Sequence, residues 1–143
     1  MQKHDCEAHT VRKISTKKNP YHFVESGLPN VFLVGVHYSE CVVCGTYTVR
    51  FKHFIGLMER LKQAVIESIE PLTPEQIRFL RKMLRKSSKD FAKLVGVSPE
   101  QVSRWMSRRS VPSKSADRLI RILAQEGTPV KSSKRTDRIV LSV

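Results

Sequence analysis

The chain has 143 residues, 40% of them hydrophobic, with 26 Lys and Arg against 13 Asp and Glu, a formal charge of +13. That apolar content excludes wholesale disorder, and no apolar run approaches the roughly 18 residues of a membrane helix. The polar stretch from Met1 to His9 has no apolar signal region, and three cysteines in such a chain argue for reduced thiols or metal rather than a disulfide scaffold, so a cytoplasmic protein is expected.

In chain order, residues 1–19 form a polar, basic arm. Residues 21–24 read as a short strand, and residues 25–30 as a turn broken by Gly27 and Pro29. The β-prone apolar run 31–36 reads as a buried strand. Cys41-x2-Cys44-Gly45 has the form of a knuckle turn, and residues 46–51 form a further strand candidate. From residue 55 to 69 the pattern turns helical, because Leu57, Leu61, Val65 and Ile69 recur every four residues. Pro71 closes that helix.

Thr73-Pro74-Glu75-Gln76 is a capping box with Pro at the first helical position. The helix it opens puts Ile77, Leu80 and Leu84 on one face, with Arg78, Arg81, Lys82 and Arg85 around the others. Ser88 is the expected cap of residues 89–95, with Phe91, Ala92 and Val95 inward. Gly96 permits a sharp turn that side chains with a Cβ resist, and Val97 fills the space between two helices. Ser98-Pro99-Glu100-Gln101 is a second capping box, whose helix buries Val102 and Trp105. Ser113 or Ser115 starts a last helix with Leu119, Ile120 and Leu123 inward. The tail after Gly127, with Lys131, Lys134 and Arg135, reads as mobile, although Ile139-Val140-Leu141 can dock as a short strand. The expected fold is therefore α+β. A small β domain with the cysteine knuckle (1–54) is followed by a connecting helix and linker (55–71), an all-α domain (72–126) and a basic tail (127–143).

The charge is not spread evenly. Residues 1–70 carry 9 Lys and Arg against 7 acids, whereas residues 71–126 carry 13 against 5. A basic excess of this kind releases counterions on meeting phosphates, although surface charge also serves solubility. A small residue at Ala92, a turn glycine four residues on, an apolar residue and then a capped helix make the spacing of a helix-turn-helix. Its second helix fits a major groove. Residues 72–125 resemble the Xre/Cro-like helix-turn-helix family. By position, Arg104 is the candidate base reader, since its fork matches guanine O6 and N7. Gln101 reads adenine or serves as capping-box partner, Glu100 meets a cytosine amine or the helix N-terminus, and Ser103 touches base or phosphate. Ser107, Arg108, Arg109 and Lys114, with Lys89 and Lys93, are candidate phosphate grips.

Cys41 and Cys44 supply two thiolates, and tetrahedral zinc needs four N or S ligands. The other cysteine lies in Cys6-x2-His9, so Cys6, His9, Cys41 and Cys44 make a candidate Cys3His site for structural Zn²⁺, with His4 and His37 as rival ligands. Tyr21-His22-Phe23, then Glu25-Ser26-Gly27-Leu28-x-Asn30-Val31-x-Leu33, then Cys41-x2-Cys44-Gly45 resemble the YgiT/MqsA type of zinc-finger protein. The likeness covers most of residues 6–125 and departs from the family pattern at His9, where a cysteine would stand. It implies a zinc-binding domain followed by an Xre-like domain, and a homodimer on a palindromic operator in double-stranded DNA. In members that are antitoxins, it further implies an N-terminal domain that binds an mRNA-cleaving toxin while the whole protein represses the operon.

The expected function is a sequence-specific repressor, in its narrower form the antitoxin of a type II toxin–antitoxin pair. The alternatives are a stand-alone zinc-containing regulator and an RNA-binding zinc-ribbon adaptor. A thiol catalyst using Cys41 or Cys44 with His37 or His53 would need an orienting third group, and the sequence offers none and no Gly-rich phosphate loop, so no enzyme is expected.

Overall fold

The computed structural model describes residues 7–125 and 138–143. Cys6, His4 and the Lys131, Lys134 and Arg135 cluster lie outside them.

The first half holds two small sheets joined at a corner. Strands β1 (Thr10–Ile14), β4 (His37–Cys41) and β5 (Tyr47–Arg50) form an antiparallel sheet in the order β1-β4-β5. Strands β2 (Tyr21–His22), β3 (Val31–Val34) and β6 (Ile139–Ser142) form the second, with β2 antiparallel and β6 parallel to β3. The register sets Val31 opposite Ile139 and Leu33 opposite Leu141. Strand β3 buries Val31 and Leu33 and half-buries Phe32 and Val34, and Ile139 of β6 is buried, so the end of the chain completes the sheet. The corner is fixed by Ser15. Its amide donates to the Val36 carbonyl at 2.9 Å, its carbonyl accepts from Gly35, and its hydroxyl accepts from the Val36 amide at 2.9 Å. Gly35 has φ +87°, and a Cβ there would meet the Val143 carbonyl oxygen at 2.7 Å, so only glycine lets the last residue pack against this turn.

An aromatic cluster ties the sheets together. Tyr21 sits 6.0 Å from Tyr38, 5.8 Å from Tyr47 and 6.4 Å from Phe51, centroid to centroid, and Phe23 lies 5.1 Å from Phe51. Phe23, Leu28, Val31, Leu33 and Val36 are buried with it. Each such side chain contributes about 1.5–3 kcal/mol on burial. The Tyr21 hydroxyl donates to Glu25, and burial followed by that bond pushes its ionisation well above the ordinary range.

Among the described residues five α-helices follow: α1 (Phe54–Ile66), α2 (Pro74–Met83), α3 (Ser88–Val95), α4 (Pro99–Met106) and α5 (Lys114–Ala124). The α1 stripe of Leu57, Leu61 and Val65 is buried, with Ile66 beside it. Its expected fourth member, Ile69, is 51% exposed, because the helix ends at Ile66 rather than at Pro71. The reason is a side chain from α5. The Arg121 guanidinium donates from Nη1 to the Ile66 carbonyl at 3.0 Å and to the Ser68 carbonyl, and from Nη2 to the Glu70 carbonyl at 2.6 Å. Its Nε pairs with Asp117 at 2.7 Å, and the other Asp117 oxygen accepts from the Leu72 amide at 2.8 Å. Orphan carbonyls at a helix end need partners, and here one buried arginine supplies them while fixing α5 to α1. The buried apolar side chains of both halves form one continuous cluster, from Tyr21 through Leu61, Leu80, Phe91 and Trp105 to Ile139.

Candidate nucleic-acid interface

Helices α3 and α4 pack against each other at a sharp turn. Ala92 is fully buried at their crossing, and its carbonyl accepts from both the Gly96 and Val97 amides, at 2.9 and 3.0 Å. Gly96 takes the left-handed conformation at φ +82°, which glycine adopts without steric cost. Val97 packs half-buried against the core, as a residue between two helices must. The cap of α3 is Ser87, one residue before the expected Ser88. Ser87 has the extended backbone a cap requires, its hydroxyl accepts from the Asp90 amide at 3.1 Å, and Ser88 becomes the first helical residue.

Ser98 caps α4 as its sequence requires, accepting from the Gln101 amide at 3.1 Å. Val102 and Trp105 are each 2% exposed and pin the helix to the core. Helical spacing then leaves Glu100, Ser103, Arg104 and Ser107 exposed on the other side. Lys89 and Lys93 on α3, Arg108 and Arg109 after α4, and Lys114 at the start of α5 are exposed as well. The Ser107 hydroxyl donates to the Arg104 carbonyl at 3.3 Å, and the Arg109 amide bonds the same carbonyl at 2.9 Å, so the end of α4 is closed by its own loop.

Two of the expected site residues have partners that the sequence did not announce. Gln101 does not complete a capping box. Its Nε2 donates instead to the Ser110 hydroxyl at 3.2 Å, tying the recognition helix to the loop behind it. The first box, by contrast, is complete: Thr73 accepts from the Gln76 amide at 3.2 Å and its own amide donates to Gln76 Oε1 at 3.0 Å. Arg108 pairs with Glu75 at the start of α2. Burial alone would raise the Glu75 carboxyl. Its backbone hydrogen bond and the Arg108 guanidinium outweigh that and hold it below its ordinary value. Neither partner was legible, because Glu75 and Arg108 are 33 residues apart and Ser110 sits in a loop without periodicity.

The expected metal ligands lie at the far end of the β1-β4-β5 sheet. Cys41 ends β4 buried, at 2% exposure, and Cys44 is exposed on the turn. The Gly45 amide closes the turn onto the Cys41 carbonyl at 2.9 Å, with Gly45 at φ +73°. Cys44 Sγ lies 3.0 Å from the Thr46 hydroxyl. Thr10 pairs with Cys41, and the His9 carbonyl accepts from the Val42 amide at 3.0 Å, so the backbone at His9 runs beside the knuckle. Among the described residues no three His, Cys, Asp or Glu side chains form a group able to hold a metal; Cys6, the remaining expected thiolate, lies outside them. His37, the rival ligand, starts β4, four residues before Cys41. At about 3.4 Å per residue it stands some 13 Å from the knuckle. His37 and His53 line one cleft at the opposite end of the sheet, so the fold does not bring these histidines to the thiols.

Residues 77–124 match the helix-turn-helix family model, the span that contains α3, the Gly96 turn and α4. No curated protein and no solved structure matches the chain. The matched module is an Xre-like helix-turn-helix and supports a DNA-binding transcriptional regulator. Among the described residues, no helix is long and apolar enough to cross a membrane.

Proposed function

We propose that the protein is a sequence-specific repressor that binds a palindromic operator as a homodimer. The recognition helix α4 enters the major groove and Arg104 reads a base edge, with Ser103 beside it. Glu100 and Gln101 sit at its N-terminal turn. Lys89, Ser107, Arg108, Arg109 and Lys114 grip the flanking phosphates. The observation that carries this reading is the capped α4, which buries Val102 and Trp105 and presents Ser103 and Arg104 outward within the matched helix-turn-helix. The test is a gel shift of the full chain on duplex carrying its own promoter, against single-stranded RNA of equal length. Preference for the promoter duplex over scrambled duplex and RNA supports the reading; equal or tighter binding to RNA overturns it in favour of an RNA adaptor.

In its narrower form this reading is an antitoxin, resting on the likeness of Tyr21 to Leu33 and Cys41-x2-Cys44-Gly45 to the YgiT/MqsA type. The β half binds a ribonuclease toxin, and Cys6, His9, Cys41 and Cys44 hold a structural zinc. What favours the ligand set is the pairing of Thr10 with Cys41, which runs the His9 segment alongside the knuckle. Zinc there would cross-link the start of β1 to the β4–β5 turn. One zinc per chain in freshly purified protein, lost in Cys44→Ser, supports the site; metal-free protein with unchanged stability rejects it. Suppression by this chain of the toxicity of an adjacent small reading frame supports the antitoxin role, and a non-toxic neighbour leaves a stand-alone regulator.

A further inference from the structure

Where β4 and β5 meet the start of α1, the surface opens into a cleft of about 490 Å³, the size of a small-molecule site. Its apolar lining includes Val36 and Leu57, both buried, and the half-buried Phe51. Its polar side chains are of one kind. His37, Arg50, Lys52, His53 and Arg60 line it, Ser142 adds a hydroxyl, the main chain of Val143 adds a carbonyl oxygen at the Gly35 end, and no Asp or Glu lines it. In a half of the chain that carries almost as many acids as bases, that segregation is specific to this place. Among the described residues Arg50 and Lys52 have no ion-pair partner; the Arg60 guanidinium donates to the Ser142 carbonyl at 2.7 Å and braces the β6 side. The N-terminus of α1, a helix of 13 residues, opens on the same cleft through His53, Gly56 and Leu57. Its cap His53 makes no side-chain cap bond, and the positive end of the helix dipole adds to the cations.

We infer that this cleft is a binding site for a small organic anion, a carboxylate, sulfonate or phosphate ester attached to an apolar body. The head group would meet Arg50, Lys52 and the first turn of α1, and the body would lie on Phe51, Val36 and Leu57. Charge complementarity commits the site to an anion, and the apolar floor commits it to more than an inorganic one. It is separate from both the recognition helix and the cysteine knuckle, so the inference stands whether or not the chain is a repressor.

Gly56 allows a clean test. It lines the cleft, its backbone is ordinary helix, and a Cβ built there meets nothing within 4 Å. Gly56→Leu should therefore fold at least as well as the parent, since glycine is the weaker helix former, while its side chain occupies the cleft. The full chain would be titrated with the anionic dye anilinonaphthalene sulfonate and with its uncharged counterpart phenylnaphthylamine. One saturable site per chain is expected for the anion, and binding of the neutral dye about tenfold weaker. Gly56→Leu should abolish that site with no fall in Tm, and Arg50→Gln with Lys52→Gln should weaken it about tenfold or more. Equal affinity for the two dyes, or undiminished binding in folded Gly56→Leu, would overturn the inference. So would a loss of nonspecific duplex affinity, with dye binding intact, in the Arg50→Gln/Lys52→Gln protein, since those cations would then serve DNA.

Discussion

Removing the guanidinium of Arg121 should cost about as much as truncating a large core side chain of the helical half. Its side chain is 7% exposed and that of Asp117 is 17% exposed. In Arg121→Met the methionine fills most of the volume, yet among the described residues the Asp117 carboxylate keeps only the Leu72 amide as a partner, and the Ile66, Ser68 and Glu70 carbonyls lose a donor. Breaking a buried pair by deleting one partner costs about 3–5 kcal/mol. Each orphaned carbonyl would add about 1–3 kcal/mol if it stayed dry, but the end of α1 lies close enough to the surface for water to reach some of them. These costs overlap rather than sum, so about 4 kcal/mol is expected. For a chain of this size that corresponds to a fall in Tm of roughly 10–15 °C. Lysine keeps the charge but reaches one carbonyl where the fork reaches three, so Arg121→Lys should lose more than half of the same amount. Urea unfolding of the full chain, with Asp117→Asn and the double variant completing a cycle, measures both numbers. A loss below about 1 kcal/mol in Arg121→Met, or an Arg121→Lys protein as stable as the parent, would refute the claim that this fork is what ends α1 and fixes α5 to it.

Four further outcomes follow from the same geometry. Arg104→Ala should cost about 1–3 kcal/mol at the operator and relax one base position; equal losses on operator and scrambled duplex would make Arg104 a phosphate contact. Ser98→Ala should lower stability by about 1 kcal/mol, read by thermal unfolding, because it removes the hydroxyl that caps α4. Arg85 ends α2 in the left-handed region at φ 55°, where a Cβ costs about 1–2 kcal/mol, so Arg85→Gly should stabilise the protein by a good part of that, and a lower Tm would count against it. The Glu75–Arg108 pair should show in the pH dependence of stability. The folded carboxyl lies below its ordinary 4.5, so its contribution is present above pH 4.5 and fades as pH falls through the lower folded value. With Arg108 64% exposed the pair is worth only a few tenths to about 1 kcal/mol, and the parent and Glu75→Gln should converge in acid.

The sequence by itself determined the helical half closely. Turn and cap chemistry is local, so Thr73 with Gln76, Gly96 and Ser98 could be assigned from their neighbours, and the inward set Phe91, Ala92, Val95, Val102 and Trp105 followed from a period of 3.6. Strand β3 was legible for the same kind of reason, since an apolar β-branched run has few other places to go. Strand β1 was not. All five of its residues are exposed, so it carries no alternation and reads as a basic arm until β4 pairs with it. Strand β6 was legible only as a short apolar segment, because its partner β3 lies about a hundred residues earlier and register over that distance leaves no local mark. What the tertiary structure alone decided was which polar groups meet. Arg121 at the end of α1, Glu75 beside Arg108, Gln101 on Ser110, and three cations with two histidines around one apolar cleft are each brought together by packing, and charge in a sequence does not say what it will face.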